Sequence, residues 1–326
     1  MPVAVDAMGG DNAPDAIVAG ARRAVEERGI PVVLVGREAE LGDTGGIPVI
    51  EASEVIAMDD DPGSSVRTMK DSSLVRAAEA VRDDVASAMV SAGNTGATMA
   101  SALLRTGRIK GVSRPAIATP IPGPSGNPTV LLDAGANAEC KAEWLVQFAL
   151  MGSVFSQTRF NIDKPRIGLL SIGEEAGKGS PLVKETWGLL DAVDWDALGA
   201  EFVGNVEGRD LMGDEADVVV TDGFTGNVAL KSVEGTAKNI IAALLEAFGS
   251  TPEAQAASEQ LLPALLPLYQ RFNADSYGGA MLLGTKGVCI ISHGSSGEEA
   301  MVNAISVAAE MVESDLVGKI QTAVNA

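Results

Sequence analysis

The chain has 326 residues, 46% of them apolar, with 24 lysines and arginines against 44 aspartates and glutamates, a formal charge of −20. That balance excludes a general nucleic-acid-binding face and electrostatic docking on anionic lipid, and two cysteines with one histidine exclude a disulfide framework, a four-thiolate zinc site and any two-histidine metal motif. The opening Met1-Pro2-Val3-Ala4-Val5-Asp6 carries no secretory signal and no apolar run is long enough to span a bilayer, so the expectation is a soluble cytoplasmic protein.

Short continuous apolar runs predict strands over 3–6, 32–36, 86–91, 129–133, 166–171, 217–221 and 288–292. Longer periodic stretches predict helices over 14–28, 74–84, 97–105, 138–155, 181–190, 227–248 and 298–316. Runs without period-two alternation suit a parallel sheet covered on both faces. The alternation therefore predicts one α/β body over 1–326, a three-layer α/β/α sandwich with a mostly parallel sheet. Two segments interrupt it. Residues 120–128 form a Pro/Gly-rich loop. Residues 249–279 contain Leu261-Leu262-Pro263-Ala264-Leu265-Leu266-Pro267-Leu268-Tyr269, whose prolines predict a protruding helix–break–helix hairpin.

Five predicted strands end in loops of glycine and small polar residues: Asp6-Ala7-Met8-Gly9-Gly10-Asp11, Ser91-Ala92-Gly93-Asn94-Thr95-Gly96, Asp133-Ala134-Gly135-Ala136-Asn137, Thr221-Asp222-Gly223-Phe224-Thr225-Gly226-Asn227 and Ser292-His293-Gly294-Ser295-Ser296-Gly297. Each leads toward a helix start, where free N–H groups and the helix dipole favour an anion. Turn and cap chemistry alone explains any one of them. Five on the edge where a wound sheet binds its ligands predict a phosphate or carboxylate site. Other signatures fail: Gly173–Ser180 lacks P-loop spacing, no Gly-x-Gly-x-x-Gly follows the first strand, and no Gly-x-Ser-x-Gly exists. Cys140 reads as a buried thiol, and His293 is either an acid–base group or a satisfied loop residue.

The five loop motifs, with Gly107-Arg108-Ile109-Lys110-Gly111 and Ser276-Tyr277-Gly278-Gly279-Ala280, closely resemble the bacterial phosphate acyltransferase family of phospholipid synthesis, in order along nearly the whole chain. The resemblance implies transfer of a long-chain acyl group from acyl carrier protein to inorganic phosphate, with no metal or organic cofactor. It further implies a fold related to phosphotransacetylases and isopropylmalate-type dehydrogenases, a homodimer, peripheral contact with the cytoplasmic membrane and a downstream glycerol-3-phosphate acyltransferase. On this reading Lys184 and Asn227 are the catalytic candidates, although a surface lysine and a helix-capping asparagine look the same in sequence. Asp6, Gly9, Gly10, Asp11, Asn94, Thr95, Asp222, His293 and Ser295 are the substrate-binding candidates.

The 249–279 segment corresponds to the family's membrane-contacting tip. Its sole basic residue is Arg271, so lipid contact falls to Leu261, Leu262, Leu265, Leu266 and Leu268. Dimer packing or an acyl tunnel is the alternative. The rival functions are a phosphotransacetylase-like enzyme using acyl-CoA, a dehydrogenase of the related fold and a non-enzymatic membrane scaffold. Residues 85–132 contain no acidic residue, while Arg105, Arg108, Lys110 and Arg114 give that window +4 against −24 for the remainder. An acidic carrier protein is expected to dock there.

Overall fold

The computed structural model describes residues 1–123, 126–272 and 274–325, with side chains omitted over 267–275. In chain order the elements are β1 (Val3–Asp6), α1 (Asp15–Arg28), β2 (Val32–Gly36), β3 (Val49–Glu51), α2 (Pro62–Thr68), α3 (Ser73–Arg82), β4 (Ala88–Ser91), α4 (Thr95–Arg105), β5 (Ala116–Ile121), β6 (Thr129–Leu132), α5 (Ala142–Phe160), β7 (Arg166–Leu170), α6 (Pro181–Asp191), β8 (Glu201–Val206), β9 (Val218–Val220), α7 (Gly223–Phe248), α8 (Pro252–Phe272), β10 (Ala280–Leu283), β11 (Val288–Ile291), α9 (Glu298–Glu313) and α10 (Leu316–Asn325). One sheet joins the strands in the order β3-β2-β1-β4-β11-β10-β5-β6-β9-β7-β8. Burial on both faces explains the unalternating apolar runs: every residue of β1, β2, β4, β6, β9 and β11 is buried.

Helices α1, α5, α6, α9 and α10 cover one face, through Ile17, Phe148, Leu190, Met301 and Ile320. Helices α2, α3, α4 and the start of α7 cover the other, through Val66, Leu74, Ala97 and Leu230. The three layers are those expected. The sheet's direction is not uniform. β10 runs antiparallel to both β11 and β5, and β5 runs antiparallel to β6. Consequently β6, β9, β7 and β8 point opposite to β2, β1, β4 and β11. The five glycine-rich loops therefore do not share one edge: those after β1, β4 and β11 lie at one, those after β6 and β9 at the other.

Strand β5 also corrects the reading of 120–128 as loop, because Pro120 and Ile121 sit in the ladder opposite Val130 and Thr129. Residues 124 and 125 lie outside the described residues. The helix expected over 298–316 ends at Glu313, and Asp315 takes a left-handed φ of 51° before α10 begins.

No break interrupts α8 at its prolines. Pro263 and Pro267 lack the N–H groups that would reach the carbonyls of Glu259 and Pro263, yet the helix continues, and residues 259–264 around the first gap are exposed. The hairpin is instead α7 packed against α8, turning at 249–251. Beyond Gly226, α7 buries no residue fully. Leu261, Leu262 and Leu266 are about half exposed, at 54%, 47% and 55%, Leu265 is half-buried, and the side chain of Leu268 lies outside the described residues. Among the described residues no helix is long and apolar enough to cross a membrane.

Candidate active site

A cleft of about 350 Å³ opens on the face that carries α7. Its floor comes from the central strands: Ile117, Thr119 and Pro120 of β5, Ala280 of β10 and Ile291 of β11. Thr95, Asp11, His293 and Gly294 form the wall from one edge of the sheet, and Asn227, Lys231 and Glu234 of α7 the wall from the other. The two opposed sets of loops meet because the cleft spans the antiparallel strands between them.

The loop after β1 is built around Asp6, which is 2% exposed. Its carboxylate accepts Ser91 Oγ at 2.7 Å and the Met8 N–H at 3.3 Å. Burial pushes its pKa up, against the downward pull of hydrogen bonds from Ser73, Ser91, Met8 and Gly9. A Cβ at Gly9 would stand 2.5 Å from Asp6 Oδ2, and Gly10 takes a φ of 109°. These three residues shape the loop. Asp11 reaches the cleft, with its N–H donated to the Gly294 carbonyl at 2.7 Å.

Asn94 is occupied by the protein itself. Its Oδ1 caps α4 by accepting the Ala97 N–H at 3.0 Å, and its Nδ2 donates to the carbonyls of Ala57, Met58 and Asp60. It thereby ties the 57–60 loop beside Thr95, which lines the cleft. Asp222 likewise caps α7, accepting the Thr225 N–H and Oγ1–H, each at 2.8 Å.

Asp133 does for the opposite wall what Asp6 does for the first. It accepts N–H groups from Ile117, Gly135, Ala136 and Asn137 and the Asn137 side chain, at 2.7–3.1 Å. Burial raises its pKa despite those donors. A Cβ at Gly226 would fall 1.9 Å from the Asp133 carbonyl oxygen. Glycine there lets the first turn of α7 press onto the 133–137 loop, which sets Asn227 in the cleft.

His293 Nδ1 lies 2.8 Å from Ser295 Oγ and 3.3 Å from the Ser295 N–H. The Ser295 N–H donates to Nδ1, which leaves the ring N–H on Nε2. Ser295 orients the ring and does not itself line the cleft.

Lys231 and Ser292 stand in the cleft without having been candidates from sequence, although Ser292 opens the fifth loop motif. Lys231, the one lysine or arginine among the cleft's described lining residues, follows Asn227 by four positions and pairs with Glu234 at 2.8 Å; the i, i+4, i+7 spacing of Asn227, Lys231 and Glu234 was the available signal. Ser292, 5% exposed, lines the cleft, and its buried hydroxyl has no hydrogen-bond partner among the described residues. Lys184 is not brought to this cleft. It is exposed on α6, which packs on the opposite face of the sheet from the start of α7. Cys140 is half-buried and its thiol is pushed up to about 12, chiefly by burial. It is a thiol, not a thiolate, at neutral pH.

The four expected docking cations cluster where α4 ends and in the loop beyond. Arg105 is held by Glu79 at 3.6 Å and by the Val66 carbonyl, Arg108 donates to the Ser113 carbonyl, and Arg114 lies over the Trp144 ring at 4.9 Å. Arg108, Lys110 and Arg114 are exposed. The length of α4, about 15 Å, separates Arg105 from Thr95.

The fatty acid synthesis protein family matches residues 1–319. The phosphate acyltransferase of Elusimicrobium minutum is 48% identical over 330 residues, covering 98% of this chain and 95% of the relative. That of Leptospira biflexa is 47% identical over 320 residues, covering 95% and 93%. Among solved structures, a phosphotransacetylase from Streptococcus pyogenes superposes with a TM-score of 0.62 at 18% identity, covering 96% of this chain and 94% of its own. A branched-chain phosphotransacylase from Enterococcus faecalis gives 0.62 at 16%, covering 96% and 99%. At that identity the two structures establish the fold alone.

Proposed function

The chain belongs to the fatty acid synthesis protein family, and from that premise we propose that it transfers a fatty acyl group from the thioester of acyl carrier protein to inorganic phosphate. The observation that carries this reading is the composition of the cleft: a cation, Lys231, beside two carboxylates, Asp11 and Glu234, and neutral donors, Asn227, His293 and Ser292, over an apolar floor, with no activated nucleophile among its described lining residues. Ser292 has no base in hydrogen-bond contact among the described residues, and Cys140 keeps its proton. The nucleophile is then phosphate.

Lys231 holds the phosphate dianion, exchanging Glu234 for it. A phosphate oxygen attacks the thioester carbonyl, and the oxyanion that forms takes hydrogen bonds from Asn227 Nδ2 and the Ser292 hydroxyl. Collapse breaks the C–S bond; the departing sulfur takes the proton of the phosphate hydroxyl while the Nε2–H of His293 hydrogen-bonds to it, and acyl phosphate remains. Thr95 and the apolar floor position the thioester.

Acyl carrier protein is acidic, and the exposed Arg108, Lys110 and Arg114 present positive charge to it on a chain that is otherwise strongly negative. The half-exposed leucines of α8 supply peripheral membrane contact, where acyl phosphate passes to a glycerol-3-phosphate acyltransferase, and two copies form the working unit. Deleting Leu265 and Leu266 is expected to abolish flotation with liposomes; unchanged flotation removes the membrane element. The reaction itself is tested by release of free carrier-protein thiol. Release that depends on added phosphate supports the reading, and release from acyl-CoA alone selects the phosphotransacetylase-like alternative. No release from either donor leaves the scaffold.

A further inference from the structure

The loop after α4 and the start of α5 bring two exposed cations to one aromatic ring. The Arg114 guanidinium lies 4.9 Å and the Lys141 ammonium 6.0 Å from the centre of the Trp144 ring. Gln147 of α5 accepts the Ser113 N–H at 2.8 Å and donates to the Gly111 carbonyl at 2.9 Å. The 111–114 loop is thereby clamped to α5, with Arg114 held over the ring. Among the described residues neither cation has an ion-pair partner. Glu139 and Glu143, the carboxylates closest to Lys141 in sequence, are exposed and stay outside ion-pairing distance. A guanidinium fixed on an aromatic face keeps its outer N–H edge for an oxyanion.

The position of the pair identifies the anion. Pro115, next to Arg114, accepts Asn137 Nδ2–H on its carbonyl at 2.8 Å, and the Asn137 carbonyl accepts the Gly223 N–H at 2.8 Å. Gly223 opens α7, and Asn227 follows it by one helical turn, about 6 Å along the axis. The two cations therefore stand beside the wall that carries Asn227, on the order of 15 Å from that residue. A carrier protein presents its acyl thioester on a 4′-phosphopantetheine arm, which has about thirteen bonds between phosphorus and sulfur and reaches about 15 Å when extended. The arm's one charged group is a phosphodiester, and an arginine fork beside a lysine matches phosphate oxygens.

We propose that Arg114 and Lys141, set by Trp144, seat the phosphodiester of the donor's prosthetic arm, and that the arm runs past the 133–137 loop to deliver the thioester beside Asn227. The proposal rests on the acyl-transfer reading above and adds which part of the donor this surface reads. Recognition of the phosphodiester fixes how far the thioester can reach, so docking and placement of the reacting carbonyl become one event.

The test removes the phosphate from the donor and the cations from the protein. Acyl phosphate formation is measured with one eight-carbon acyl group carried on pantetheine, on 4′-phosphopantetheine and on the carrier protein. The wild type is expected to prefer the phosphopantetheine thioester to the pantetheine thioester by about fivefold or more in kcat/KM. Arg114→Ala with Lys141→Ala should erase that preference and lower kcat/KM for the carrier protein as well, leaving the pantetheine donor within about twofold. The pantetheine donor reports that fold and chemistry are intact. Trp144→Leu, which removes the ring under Arg114, should give a smaller loss in the same direction. A wild type that uses the two small donors equally overturns the proposal, as does an equal loss for both in the double variant. A loss confined to the carrier protein also overturns it, because the cations would then read the protein and not the arm. A wild type that forms acyl phosphate from none of the three donors refutes the transfer reading first, and this assignment with it.

Discussion

Two concavities share one helix and differ in nearly every physical respect. The cleft at the start of α7 holds about 350 Å³ and gathers a cation, an amide, an imidazole and an unpartnered hydroxyl. The groove at its end holds about 790 Å³ and is walled by leucine, isoleucine and phenylalanine. The cleft's loops are locked by buried carboxylates, Asp6 on one side and Asp133 on the other, whereas the hairpin beyond Gly226 contributes no fully buried α7 residue. Rigidity is concentrated where atoms must be placed for reaction. The same helix thus carries a polar cleft at one end and an apolar groove at the other.

Substitutions at the cleft test the chemical half of that contrast, and the largest effect is expected at Asn227. Asn227→Ala removes the proposed oxyanion donor and is expected to lower kcat by about 10²–10³-fold, equally for long and short donors; a loss confined to long donors would contradict that role. Lys231→Ala is expected to raise the KM for phosphate by about 10–100-fold, the weight of one charge-assisted hydrogen bond. Lys184→Ala, on the opposite face, is the comparison. A larger effect there than at Lys231 would move the phosphate from this cleft to the edge where α6 begins.

Asp6→Ala leaves Ser91 and the Met8 N–H without their acceptor and is expected to destabilise the protein by about 1–3 kcal/mol in denaturant titrations. Asp6 also sets a pH dependence. Burial raises its folded pKa above the ordinary 3.8, so the folded state keeps its proton to higher pH than the unfolded chain. The stability linked to Asp6 is present in full below 3.8 and is lost as pH rises through the folded value. Stability compared between wild type and Asp6→Ala across that window should show the difference narrowing upward. The smallest effect is expected from alkylation. With its thiol pushed up to about 12, Cys140 should react with iodoacetamide far more slowly than a free cysteine at pH 8, with activity unchanged.

Much of this was legible before the fold was seen, for local reasons. Val3–Asp6, Val32–Gly36 and Val288–Ile291 are buried on both faces, so their apolar runs announce themselves. Asn227 and Thr95 follow such runs and were singled out. What was not legible depends on partners far away in the chain. β5 carries Pro120 and reads as punctuation, yet it pairs with β10 and β6, and those pairings reverse half the sheet. That reversal moved two of the five loops to the other edge and left Lys184 on the far face. Asn94 and Asp222 show the same limit: asparagine and aspartate before a helix suit a ligand or a cap, and only the contacts with Ala97, Met58 and Thr225 decide. The prolines of α8 announced a break, yet the helix runs through them at the exposed surface of the hairpin.

The claim on which the rest depends is that phosphate, and no side chain, attacks the thioester. Intact mass spectrometry of the protein incubated with acyl carrier protein thioester in the absence of phosphate tests it directly. The expected result is an unmodified protein, with acyl phosphate and free thiol forming in equal amounts once phosphate is added. A protein carrying a covalent acyl group before phosphate is supplied would contradict it.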